Sequence, residues 1–140
     1  MSVAVELQKM VFAALKADAS VSSLIGGRVY DRIPTGTNGK VTATFPHVGF
    51  GPYDFVSDDA DCITAGEHTL QIDIWSRAVG RGEAKQITDA VRRALHGYEA
   101  DMGVYRLVEM RTDFARVIGD PDGLTSHGIV TVTAVIEEPA

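Results

Sequence analysis

The stretch HTLQIDIWSRAVGRGEAKQITDAVRRALHG, residues 68–97, changes its hydrophobic period partway along, and that change limits what the chain can fold into. Leu70, Ile72 and Ile74 alternate with Gln71, Asp73 and Trp75, the period-two pattern of a half-buried strand. Trp75 breaks the polar side of that pattern. A large amphipathic ring there predicts contact with a partner surface or packing beneath a loop of its own chain. After the turn Ser76–Gly82, Ala84, Ile87, Val91, Ala94 and Leu95 recur at helical spacing and form one apolar stripe. Asp89 precedes Arg93 by four residues, which predicts a solvated pair on that helix. Gly97 stands where a helix stop is expected.

A strand entering a helix beside glycines is also how phosphate sites begin. A P-loop needs lysine and then Ser or Thr after its last glycine. Here Glu83 follows Gly82, and its carboxylate would repel an anion. A dinucleotide fingerprint needs three spaced glycines, and only Gly80 and Gly82 are present. The unit is read as a structural turn.

The rest of the chain repeats these elements. Ser2 caps a helix in which Val3, Leu7, Met10, Val11, Ala14 and Leu15 share a face. Asp18 or Ser20 caps a further turn ending at Gly26-Gly27. Strands are predicted over Arg28–Pro34, Phe45–Gly51, Leu70–Trp75, Tyr105–Ile118 and Ile129–Glu137. Asn38-Gly39 can close a small hairpin within the polar loop TGTNGKVTAT. The acidic segment Pro52–Glu67 is read as a long loop, mobile in an isolated subunit. The order α-β-β-β-α-β-β implies an α+β fold, with two helices packed on one face of a largely antiparallel sheet. Its last two strands form a hairpin across Asp120–Gly128.

The chain has 140 residues, the size of a single domain spanning residues 1–140. No window approaches the ~18 consecutive apolar residues of a membrane span, and the start MSVAVELQKM lacks the basic n-region of a signal peptide. The net charge of -6 argues against a general nucleic-acid binder.

No catalytic constellation emerges. His47, His68, His96 and His127 share no metal-ligand spacing. Asp58, Asp59 and Asp61 lack the glycine and closing glutamate of a calcium loop and are read as a solvated acidic segment. Asp120-Pro121-Asp122-Gly123 is good turn chemistry. Cys62 is the only cysteine, and the acids before it work against the thiolate that a nucleophile needs. Arg77, Arg81 and Lys85 form a small basic patch suited to phosphate or to an acidic protein surface. The expectation is a protein with no enzymatic activity, no cofactor and no metal.

Taken together, ELQKMVFAALKAD, LIGGRVYDRIP, FPHVGFG, residues 67–97 and DPDGLTSHGIVTV, in that order and spacing, resemble the tail completion, or tail terminator, proteins of long-tailed bacteriophages, prophages and gene transfer agents. The resemblance covers nearly the whole chain; the loop TGTNGKVTAT is longer than that family leads one to expect. It implies a structural virion protein that caps the head-proximal end of the tail tube as a six-membered ring. Such a ring ends tube polymerisation and joins the tail to the head connector. Its partners would be further copies of itself, the tail tube protein and the connector or stopper protein. DNA would pass through without specific binding, and no membrane would be involved. Trp75, Arg77 and Arg81 are the candidate interface residues, since Trp and Arg dominate interface energetics. Asp58, Asp59 and Asp61 are the candidate channel-lining residues, with Glu137 and Glu138 as a second set. The alternatives are another ring protein of the head–tail joint and, further off, a small ligand-binding domain or enzyme.

Overall fold

The computed structural model describes residues 2–139. Its elements run α1 (Val3–Ala17), α2 (Ala19–Ile25), β1 (Val29–Tyr30), β2 (His47–Ser57), β3 (Thr64–Ser76), α3 (Gly82–Leu95), β4 (Arg106–Gly119) and β5 (Ser126–Glu138). The helix starts follow from local chemistry. Ser2 Oγ accepts from Val5 N at the head of α1, and Asp18 Oδ1 accepts from Val21 N at the head of α2. Because Asp18 stops α1 and starts α2, the expected single helix with an added turn is two helices. Gly26 closes α2 in the left-handed region, φ 60°.

The five strands form one sheet in the order β1-β2-β3-β5-β4. β1 is parallel to β2, and every other neighbouring pair is antiparallel. The fold is therefore α+β with a largely antiparallel sheet, as the element pattern implies. Val130, Val132, Ala134 and Ile136 of β5 lie beside Leu70, Ile72 and Ile74 of β3 on the buried face. Leu7, Val11 and Leu15 of α1 and Ile87, Val91 and Leu95 of α3 complete the core. α3 comes close to the sheet at Gly128. A Cβ there would overlap Thr88 Oγ1 and lie 3.1 Å from Ile74 Cβ.

Three further expectations need correction. Residues Pro52–Glu67 are not a long loop. β2 continues to Ser57, β3 starts at Thr64, and only a turn over 58–63 separates them. Tyr53, Phe55 and Val56 are good strand formers whose signal is hidden by Pro52 and the acids, and Pro52 falls at a register shift, where its missing N–H is tolerated. Gly66 admits the Phe55 ring flat against β3, where any side chain would collide with it. The strand expected over Arg28–Pro34 is confined to Val29–Tyr30, because Ile33 turns back onto Gly49. On α3, Asp89 pairs with Arg92 at 3.7 Å and not with Arg93. The small hairpin does form: Thr35 bridges Val41, and Gly39 has φ 77°.

Candidate functional site

Paired residues on neighbouring strands share a face of the sheet. The face away from the helices therefore carries a row across four strands: His47 of β2, Trp75 of β3, His127 of β5 and Ile118 of β4. Trp75 and His127 stack with ring centroids 3.8 Å apart and planes 10° from parallel. His127 Nε2 donates to Asp73 Oδ1 at 2.7 Å, and Gln71 Nε2 donates to the same oxygen at 2.8 Å. A carboxylate so engaged holds the imidazole in one orientation beneath the indole. Trp75 Nε1 is buried and has no hydrogen-bond partner among the described residues.

His47 is buried beside Trp75. Its ring packs against Phe45 at 4.6 Å and Tyr30 at 6.0 Å. Burial holds its pKa below the usual histidine value, and the charges of Arg28 and Arg77 push the same way, against a hydrogen bond to the Thr44 carbonyl. The Arg77 guanidinium lies 4.2 Å over the Phe45 ring and donates from Nε to Thr125 Oγ1 at 3.2 Å. Asp122 braces the turn that presents Thr125, accepting from Thr125 Oγ1, Thr125 N and Leu124 N, and these bonds hold its carboxyl below the usual range. Arg81, exposed at the start of α3, reaches Gly119 on the other flank of the same turn. Trp75, Arg77 and Arg81 thus lie at the same end of the sheet, each with its own partners. The sequence does not mark His127, Asp73, Phe45 and Thr125 as their partners. Only the shared parity of Asp73 and Trp75 pointed to them, because the pairing of β3 with β5 joins segments far apart in the chain.

Asp58, Asp59 and Asp61 sit at the opposite end. They are exposed on the β2–β3 turn, roughly 30 Å from Trp75 at the usual strand rise. Asp59 Oδ1 accepts from Ala65 N at 3.1 Å, and Cys62 holds φ 64°. Glu137 is at the same end, paired with Arg106 at 3.2 Å. Behind this turn, His68 is 2% exposed, and its Nδ1 shares a 2.7 Å hydrogen bond with the Tyr53 hydroxyl. Burial lowers the His68 pKa and raises that of Tyr53.

Among the described residues no three His, Cys, Asp or Glu side chains gather as a metal site requires. A concavity of about 650 Å³ lies between α1 and residues 98–105; Met10, Tyr98, Met102 and Tyr105 line it together with Glu6, Lys9 and Asp101, without histidine, cysteine or serine. The arrangement gives the sheet two chemically different ends, one stacked and partly basic, the other acidic.

Comparisons with known proteins give the family and the fold. The family model described as tail completion protein gp17 matches residues 9–137. A chain in the structure of the virion of a native gene transfer agent particle is similar in fold, with a TM-score of 0.87 and 27% identity, over 97% of this chain and 98% of that one. The gp17 protein of bacteriophage SPP1 shares the fold at a TM-score of 0.55 and 21% identity, over 93% of this chain and 88% of that one. No curated protein matches the chain in sequence.

Proposed function

The chain belongs to the tail completion protein gp17 family, and on that footing we propose that it closes the head-proximal end of a phage-type tail tube as a ring of identical subunits. It is a structural tail component, and its place is the virion. The observation that carries the reading is the end-to-end likeness to a chain of an assembled gene transfer agent particle, which covers 97% of the present chain.

A terminator must bind the last ring of the tube on one side and present no tube-like face on the other. A subunit with chemically different ends suits that task. In this reading the single domain spans residues 1–140, and Trp75, Arg77 and Arg81 form the end that meets a neighbouring subunit or the tube. The other side engages the connector or stopper protein beneath the head. A closed ring of six uses heterologous contacts, each subunit joining two different patches.

DNA must slide through such a ring without being gripped. Each lysine or arginine near the duplex adds salt-dependent hold, so a neutral or acidic lining is favoured. Each copy brings a formal charge of -6. Screening restricts the effect to roughly 8 Å at physiological salt. The proposal therefore places the Asp58–Asp59–Asp61 turn at the lumen, with Glu137 and Glu138 as the next candidates. Termination is tested by adding the purified chain to polymerising tube protein of the same particle. Tube growth should stop at one end; tubes that lengthen as fast with the chain as without it would refute the reading.

A further inference from the structure

Resting on the ring reading, we propose that the subunits join edge to edge into one continuous sheet: residues 53–57 of β2 on one copy pair antiparallel with residues 113–117 of β4 on the next, with Asp54 opposite Arg116 and Val56 opposite Phe114. The sheet has two outer strands, and each is covered for only part of its length. β1 occupies the outer side of β2 at Val48 and Gly49 and goes no further. The outer side of β4 is taken at Met110, whose carbonyl accepts from Gly97 N at 2.8 Å, and at Thr112, whose N–H donates to His96 Nδ1 at 3.0 Å. Beyond those points, Tyr53–Ser57 and Phe114–Gly119 run in regular register with their inner neighbours and have no strand on their outer sides. Unpaired strand edges of this kind template pairing with another chain.

Direction, face and charge select the match. β2 and β4 point opposite ways in the sheet, so copies related by a ring axis bring them together antiparallel. Alternation then fixes parity: Asp54 and Val56 share the helix-free face with Phe114 and Arg116. Of the registers with that parity, the one proposed sets anion against cation and apolar against apolar. A slip by two residues in one direction sets Asp54 against Ile118 and Val56 against Arg116. The exposed areas agree, since Val56 is 65% and Phe114 49% accessible in the isolated chain. Like edges do not match: 53–57 holds no base, and the one acid of 113–117, Asp113, is already engaged by Arg111 at 2.6 Å. The contact is thus heterologous, as a closed ring needs. The lengths fit as well. At one end the pairing stops where β1 begins, and at the other where α3 caps β4.

The test is disulfide trapping in assembled particles, in a Cys62→Ser background. Val56→Cys with Phe114→Cys is the in-register pair, and Val56→Cys with Arg116→Cys the slipped pair. The proposal expects covalent oligomers up to the full ring from the first, about tenfold more than from the second, because a slip is not tolerated on a two-faced strand. As an independent arm, Asp54→Arg or Arg116→Asp alone should weaken subunit association about fivefold, and the two together should restore it. Native mass spectrometry of the wild-type chain released from particles separates the possible failures. A ring with equal or absent trapping from both pairs overturns the edge pairing and leaves the ring reading standing. The absence of a ring overturns both.

Discussion

Trp75 and His127 stack face to face across β3 and β5, 3.8 Å apart, so the indole already has a partner within its own subunit. The stack separates the role of Trp75 from that of Arg77 and Arg81. Trp75→Ala should lower subunit stability by about 2–4 kcal/mol, through loss of a large half-buried ring. Arg77→Glu with Arg81→Glu should leave the fold intact, at a cost of about 1 kcal/mol or less for these solvated groups, and should block incorporation into particles. Thermal melts and particle immunoblots check the contrast. Full-titre particles containing the double variant would reduce the basic patch to solvated surface.

Gly128→Ala should destabilise the chain by roughly 1–3 kcal/mol, because its Cβ would enter the space of Thr88 Oγ1 where α3 meets the sheet. Thr88→Ala in the same chain should recover part of the loss, since Thr88 Oγ1 has no hydrogen-bond partner to forfeit. The measurement is a double-mutant cycle by urea unfolding. Strict additivity would contradict the close approach.

Acid should weaken the fold earlier than carboxylate titration explains. Burial lowers the pKa of His47 and of His68 in the folded chain. The unfolded chain therefore binds more protons below the ordinary histidine value of 6.5. Stability is fully present above that pH and falls as pH drops below it, towards the lowered folded values. Glu138 opposes the shift at His68, whereas Arg28 and Arg77 add to it at His47. Melting temperature should decline from about pH 7 to about pH 5.5, and His68→Gln, which keeps a hydrogen-bonding partner for Tyr53, should flatten the decline. An unchanged profile in that variant would remove His68 from the account.

Reversal of Asp58, Asp59 and Asp61 to lysine should leave tail length normal and slow DNA delivery, because added cations near the duplex increase its hold. Infection or transfer assays at two salt concentrations would check this, since the deficit should shrink as salt rises. Unchanged delivery from particles shown to carry the variant would mean that the turn does not face the DNA.

The sequence was most legible where the pattern was local. Ser2, Asp18 and Gly97 marked helix ends, and the alternation through Leu70, Ile72 and Ile74 located the central strand. Tyr53–Ser57 has the sequence of a loop because acids and Pro52 dilute the strand signal, and pairing with β3 supplies what the local pattern lacks. The site was less legible for a related reason. The Trp75–His127 stack, the Arg77–Thr125 bond and the two free strand edges depend on which strands neighbour each other. That order, β3 beside β5, is a long-range result of packing, and the period of a single segment does not encode it.

The central claim is that this chain ends the tail tube, and the most direct measurement is the tail-length distribution, by electron microscopy, of particles made without it. The account predicts tubes longer than wild type, or tails without heads, with normal length and joining restored when the chain is supplied in trans. Tails of normal length on normal heads in its absence would contradict it.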